Sequence, residues 1–522
     1  MNDAAKGFLH RIQRTPRREA VYDVSTDTRY TYCDVGRRAL KLARFLTDDL
    51  GLTVGDVIAL VSENCIAFID AFYASCMTGV IITTYNGRLH QDDIVPLVQR
   101  EEPKVVIVSE SYRSKMNSVC ESAGMDPVVV SIDGGVDCFV KRYDEIMAQH
   151  VDPLDFASLD NFVDFDIENT MMLVHTGGTT GLPKSAMISY RAILFNAMSE
   201  ILTVSFTQRD VGLVFLPFFH TVGWNVVTLP LLLAGGRIIL TPTLDPGVLL
   251  HLIHTEHPTT GLAVESIFLR MAEHPAFDET DFTSYRLITN GAGPIGQSTM
   301  KRYWDHGVRL VNGYGMTETG PNNCFYPDMD ASLDHVRAHS TTVGKVMCFN
   351  ELKIVDEDGA EVPIGCDGEL LWRGPITFSG YWRNPEATKA VMTEDGWVRS
   401  GDMGHVDEFG YVYLRGRRKN MIITNGENIF PIEIENVLRA HPDVEECCVI
   451  AVPDSRRGEV GKALVRLRDG AELDRESLRS WAKGQLASIK VPVYYTQVDQ
   501  FPQHGLKVNL TELKERYGFA GD

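Results

Sequence analysis

From His175 to Met187 the chain reads HTGGTTGLPKSAM. Gly177, Gly178 and Gly181 let the backbone turn tightly, Thr176, Thr179 and Thr180 supply hydroxyls, and Lys184 supplies a cation. These are the ingredients of a loop that wraps phosphate. One residue argues against a Walker loop. That loop needs G-x-x-x-x-G-K-[ST], with a glycine before the lysine so that successive N–H groups close on one phosphate. Pro183 stands there instead and has no N–H to give. The run can still grip the outer phosphates of ATP and release pyrophosphate afterwards. Taken alone, it also reads as a solvated turn between a strand and a helix.

Four further runs follow in order: NGYGMTETG from Asn312, GYWRNPEATKAVM from Gly380, DGWVRSGDMG from Asp395, and GRRKNMIITNGENIFPIEIE from Gly416. With TGGTTGLPK they resemble the adenylate-forming superfamily of acyl-CoA synthetases, peptide-synthetase adenylation domains and beetle luciferases. The resemblance runs from the first strands to near the C-terminus. It implies that a carboxylate attacks the α-phosphorus of ATP and displaces pyrophosphate, so the site must supply positive charge and oriented donors to two anions. The family's Mg²⁺ is positioned by the glutamate of Y-G-x-T-E, which is Glu318 here, with Thr317 beside it as a phosphate contact. The resemblance puts Tyr314 and Gly315 against the adenine, a flat ring for a flat base. NGAGP, from Asn290 to Pro294, resembles the strand end that lines the adenine and acyl pockets through Gly291, Ala292 and Gly293, with its small residues reordered. It is also an ordinary strand-to-turn transition.

Asp402 matches the aspartate that accepts from both ribose hydroxyls, because an ionised carboxylate only accepts and a vicinal diol offers two donors. Arg417 resembles the arginine that reaches ribose or phosphate, and a salt-bridged hairpin is its other reading. Asn420 stands at the hinge, where the family usually carries aspartate or lysine. About that residue the small C-terminal domain is expected to swing, so that one site serves two half-reactions. The family's closing Pro-x-Thr-x-x-Gly-Lys-Ile is altered to FPQHGLKVNL. Counted from Pro502, Lys507 arrives one residue early and Leu506 replaces the glycine, yet Lys507 is the residue that resembles the adenylation lysine.

LPFFHTVGWNVVTLPLLLAGG resembles the acyl segment of fatty-acyl-CoA synthetases. It makes His220, Val222, Gly223 and Trp224 candidates for the acyl pocket, each of which could equally be core packing. Amino-acid-activating relatives place an aspartate in this region to hold the ammonium; none is present, and a buried unpaired ammonium is costly. Medium- or long-chain fatty acids therefore lead, with aryl or branched acids behind. NGENIFPIEIE resembles the loop facing the pantetheine channel, with Gly426 nearest, so coenzyme A is the default acceptor and a carrier-protein pantetheine arm the alternative. Tyr190 stands where many relatives carry histidine. Other readings remain: a relative that binds adenylates with little turnover, suggested by the altered lysine and hinge regions, and a luciferase-like oxygenase.

Elements must hold these residues in place. VIALVSEN, KVVIVSES, TMMLVHTGG, RIILTPT and RLITNGAG read as buried strands, and CIAFIDAFYASCMTG as a helix between them. From about Glu351 the texture becomes β-rich with hairpins. After GRRKNMI a helix-strand-strand order begins. The expected fold is α/β: a large N-terminal domain of layered sheets and helices plus a β-rich subdomain (1–419), with a small mobile α+β C-terminal domain (420–522). The net charge of -20 argues against a nucleic-acid surface. Scattered cysteines without a C-x-x-C pair, and a start without a secretory core, suggest a reduced cytoplasmic protein. Cys447 and Cys448 read as packing in a buried strand. Val211 to Gly236 has no charge and could span a bilayer in length, but Pro217, His220, Asn225 and Pro230 interrupt it, so a strand, a turn and a buried helix fit better. His251, His254 and His257 lie along one helix at a spacing that does not close a tetrahedral metal site.

Overall fold

The computed structural model describes residues 2–134, 141–150, 165–177, 183–504 and 507–521, without the side chains of Gln503, His504 and Lys507. Gly178, Thr179 and Thr180 of the phosphate loop lie outside the described residues, as does the side chain of Lys507.

Two seven-stranded sheets form the body of the chain. One runs Leu310–Asn312, Leu287–Asn290, Thr260–Ala263, Val211–Val214, Arg237–Leu240, Glu19–Asp23, Thr28–Thr31; the other runs Lys141–Arg142, Val128–Ser131, Val105–Val108, Val57–Val61, Ile81–Thr84, Thr170–Thr176, Lys184–Ser189. Both are parallel except for the last strand, which turns back antiparallel. Parallel strands covered on both faces need continuous apolar runs, and Val57–Val61 is buried at every position. Helix Ile66–Thr78 is mostly apolar and is buried along all of its residues, as a helix in a central layer must be, with the Asp70 carboxylate paired to Arg38 at 2.7 Å. All five strands and the helix expected from sequence are present.

The charge-free segment is the strand Val211–Val214, a π-helix Gly223–Thr228 and a helix Leu229–Ala234. Among the described residues no helix is long and apolar enough to cross a membrane.

The β-rich region is a four-stranded antiparallel sheet of Glu351–Val355, Gly368–Arg373, Val398–Val406 and Val412–Arg417. Beside it lies a three-stranded sheet of Tyr314–Met316, Gly320–Phe325 and Lys345–Val346. A short turn, Arg418–Asn420, then leads into the C-terminal sheet built on Ile422–Thr424, Val444–Asp454 and Gly458–Leu467. Its own apolar core includes Ile434, Leu438, Cys447 and Leu478 from two helices and a strand. Cys447 and Cys448 are buried, and burial pushes both thiols up, as packing residues require.

Candidate active site

The strand Thr170–Thr176 enters the phosphate loop and the strand Lys184–Ser189 leaves it, the two paired antiparallel with Thr176 opposite Lys184. A buried carboxylate holds the pair together. Glu101, the last residue of helix Gln91–Glu101, is 1% exposed. It accepts from His175 Nε2 at 2.8 Å, from Thr83 Oγ1 at 2.8 Å and from Ser185 Oγ. His175 precedes the loop and Ser185 follows it, so one carboxylate anchors both ends. His175 also stacks on Tyr85, ring centroids 5.4 Å apart. Burial alone would push the Glu101 carboxyl up. The His175 charge, with hydrogen bonds from His175, Ser185 and Thr83, outweighs burial and holds it below the usual carboxylate range. Sequence reasoning passed over Glu101, because nothing local marks one glutamate at a helix end.

The outgoing strand pairs with the GYWRN run: Met187 N donates to Gly380 O at 2.9 Å and Trp382 N to Ser185 O at 2.8 Å. That contact brings Tyr381 inward. Its hydroxyl donates to Glu318 Oε1 at 2.8 Å, and Lys184 Nζ lies 4.9 Å from its ring centroid, a cation–π distance. Burial, then the charge of Glu318 and the bond to it, raise the Tyr381 hydroxyl, so it stays a donor. Tyr381 thus joins the phosphate loop to the Thr317–Thr319 turn. Tyr381 sits within the GYWRN run, but its role is legible only once the strands pair.

Glu318 is 7% exposed, in a 3-10 turn that follows the strand Tyr314–Met316. That strand packs hard against its neighbour: a Cβ at Gly315 would stand 2.3 Å from Pro321 O, so only glycine fits. Tyr314 donates from its hydroxyl to Asp402 Oδ2 at 2.6 Å, and Arg417 Nε meets Asp402 Oδ1 at 2.8 Å. Arg417 also donates to Ser400 O at 2.9 Å. Burial and the adjacent Asp402 push the Tyr314 hydroxyl well up, which keeps it protonated. A carboxylate has about four lone-pair positions. With one taken on each oxygen, Asp402 still has two acceptor positions, enough for a vicinal diol.

Asn290 ends the strand Leu287–Asn290, and Ala292 turns the chain with φ +63°. Asn290 Nδ2 donates to Gly293 O at 2.7 Å, and Gly291 N to Ala263 O at 3.0 Å, so Gly291 to Gly293 form a braced turn at the sheet end. Trp224 is committed to the core. Its Nε1 donates to Phe218 O at 2.7 Å, and its ring packs on Phe218, Phe68 and Phe72. Gly223 is buried beside it, whereas His220 and Val222 are half-buried. Tyr190 is buried at the start of helix Tyr190–Val204 and donates to Ser75 O at 2.7 Å, away from the loop.

Gly426, with Asn425, makes a two-residue hairpin turn with φ of +82° and +54°, the pairing such turns favour. Asn420 closes the Arg418–Asn420 turn without positive φ. Lys507 lies in a short hairpin opposite His504. His254 accepts from Asp281 N at 3.2 Å, and among the described residues no group of three or more metal-ligating side chains converges.

Five separated runs therefore meet through Lys184, Tyr381, Glu318, Tyr314, Asp402 and Arg417. Residues 8–382 match the family described as AMP-binding enzyme, and residues 433–506 match its AMP-binding enzyme C-terminal domain. The chain belongs to the AMP-binding enzyme family. It is accordingly an adenylate-forming enzyme. It is 32% identical over 511 residues to a feruloyl-CoA synthase of Amycolatopsis sp, covering 98% of each chain. It is 29% identical to a long-chain-fatty-acid–CoA ligase of Mycobacterium tuberculosis, again covering 98% of each. Among solved structures, ATP-bound MatB of Rhodopseudomonas palustris superposes with a TM-score of 0.87 at 28% identity, covering 99% of each chain.

Proposed function

We propose that the protein is an AMP-forming acid–CoA ligase. The carboxylate of an acid attacks the α-phosphorus of ATP, the bond to the β-phosphate breaks, and pyrophosphate leaves. The thiol of coenzyme A then attacks the acyl carbon and AMP departs. The observation that carries this reading is the linkage of Lys184 through Tyr381 to Glu318, beside the Tyr314–Asp402–Arg417 clamp. It offers a cation for the departing phosphates and an acceptor for the ribose within one strand-paired unit.

Thr176, Gly177, Gly178, Thr179, Thr180 and Lys184 would hold the outer phosphates, Tyr314 and Gly315 the adenine with Gly291 to Gly293, Asp402 and Arg417 the ribose, and Lys507 the reacting oxygens. Glu318, with Thr317, would hold Mg²⁺, which neutralises the phosphates as charge develops. One inward carboxylate is a fitting donor set, because this hard cation keeps several waters and takes its other oxygens from phosphate. Asn420 would serve as the hinge between a domain ending at 419 and the C-terminal domain, with Gly426 facing the pantetheine.

Both a feruloyl-CoA synthase and a long-chain-fatty-acid ligase are relatives over the whole chain. The resemblance of the acyl segment to fatty-acyl-CoA synthetases ranks a fatty acid first. Buried polar atoms beside the acyl segment, Asn196 Oδ1 and Asn225 Oδ1 among them, favour instead an acid whose tail carries a polar group. A pyrophosphate-release screen across fatty, aryl and amino acids, with CoA, a carrier-protein pantetheine arm or neither, tests the assignment. Acid-dependent release with thioester formed on CoA is expected. Release without any thioester would make it an adenylating enzyme only, and no acid-dependent release would overturn the ligase reading.

A further inference from the structure

Glu200 lies on helix Tyr190–Val204 and is 0% exposed, yet neither of its carboxyl oxygens has a hydrogen-bond partner among the described residues. Orphaned buried carboxyls are costly and rare. This one is not isolated. One turn earlier on the same helix face, Asn196 donates to Asn225 O at 2.6 Å, and Asn225 donates to Thr221 Oγ1 at 3.0 Å. Among the described residues, Asn196 Oδ1 and Asn225 Oδ1 are themselves buried and unpartnered, and so is Asn322 Nδ2 on the strand Gly320–Phe325. Asn322 lies close enough to Glu200 to favour its ionised form, but outside hydrogen-bond geometry. A polar row therefore runs from the His220–Trp224 acyl segment to the strand that follows Glu318. Asn322 stands two residues beyond Gly320, roughly 7 Å along that strand.

We propose that Glu200, with Asn322, is the specificity-determining anchor for a hydroxyl group on the tail of the acid, so that the substrate is a compact, hydroxyl-bearing acid of the hydroxyaryl type and not a plain alkyl chain. The proposal rests on the ligase reading and on the acyl assignment of the His220 segment. With Glu200 a neutral carboxyl, the orphaned groups are three acceptors, one on Glu200 and one each on Asn196 and Asn225, and two donors, the Glu200 O–H and Asn322 Nδ2. A ligand that satisfies them must bring a donor and also accept. A hydroxyl does both, and a methyl terminus does neither. Burial pushes the Glu200 carboxyl well above its usual value, which favours a neutral acid facing a neutral hydroxyl over an ammonium partner.

The test compares kcat/KM for matched pairs of acids, hydroxylated and unsubstituted on the same ring, with a straight-chain fatty acid and an amino-substituted aryl acid as further arms. The wild-type enzyme should favour the hydroxylated member by roughly a hundredfold or more, since a site built around a substrate hydroxyl leaves its own polar groups unpaired when that hydroxyl is missing. Glu200→Leu should bring the ratio close to one by improving the unsubstituted acid, with KM for ATP unchanged, while Glu200→Gln should keep most of the preference. Asn322→Leu gives the same readout if Glu200→Leu does not fold. Equal use of both members by the wild-type enzyme, a preference for the amino-substituted or fatty acid, or a loss in Glu200→Leu that is uniform over all acids would overturn the inference. These results leave the ligase reading standing, because acid-dependent pyrophosphate release would persist. If no acid of any arm releases pyrophosphate, the ligase reading fails and this inference falls with it.

Discussion

Replacing Glu101 should loosen the phosphate loop from below. Its carboxylate takes three hydrogen bonds, two of them at 2.8 Å, from His175, Thr83 and Ser185. In Glu101→Gln the amide oxygen can still accept from His175 and Ser185, and the amide nitrogen can donate to the Thr83 hydroxyl. What disappears is charge assistance, worth about 1 kcal/mol for each of the two bonds that lose it, or about 2 kcal/mol together. In Glu101→Leu three buried donors are orphaned, and the cost rises to about 5 kcal/mol at roughly 1–3 kcal/mol for each. Because the strand ends that carry the loop share this anchor, KM for ATP should rise in the adenylation step, several-fold for Gln and more for Leu. Thioester formation from a supplied acyl-adenylate should change little. Thermal unfolding checks the stability, and pyrophosphate release at varied ATP checks the function. The folded carboxyl is held below its ordinary value, so its contribution is complete above a pH of about 4.3 and is lost as the pH falls through the folded value. The stability gap between wild type and Glu101→Gln should therefore narrow as the pH falls below about 4.3. A Glu101→Leu protein as stable as wild type, with unchanged KM for ATP, would refute the reasoning.

Lys507→Ala should lose acyl-adenylate formation by a factor on the order of a thousand, since unit charges about 4 Å apart at an effective dielectric near 20 interact by roughly 4 kcal/mol. It should retain thioester formation from acyl-adenylate, and survival of both half-reactions would remove the assignment. Tyr381→Phe takes a charge-assisted bond from Glu318, about 1.5–3 kcal/mol. It should lower kcat/KM for ATP by roughly ten- to a hundredfold, read by pyrophosphate release over a Mg²⁺ titration. Asp402→Asn removes the charge that Arg417 and Tyr314 surround. It should raise KM for ATP by a comparable factor while a 2′-deoxy-ATP control loses less.

Much of the fold was legible locally. Runs such as VVIV at Val105–Val108 and the mostly apolar Ile66–Thr78 can be stable only when covered on both sides, so buried strands and a central helix followed from residue type. Pro183 likewise excluded the Walker cradle without any coordinates. The π-helix Gly223–Thr228 was not legible, because its backbone geometry depends on how it docks against neighbouring elements. Trp224 looked like a pocket residue from its motif, and its commitment to Phe68, Phe72 and Phe218 became visible only when helix Ile66–Thr78 was packed beside it.

The sequence alone determined the chemistry on offer, because hydroxyls, carboxylates and cations in ordered runs need no fold to be recognised. Tertiary structure decided which of them act on one another. Glu101 and Ser185 are 84 residues apart, and Tyr381 and Glu318 are 63 apart. Glu200 reveals itself only through what it lacks. Hydrogen bonding and desolvation act over a few ångströms, and only strand pairing and helix docking bring residues so distant in the chain within that range.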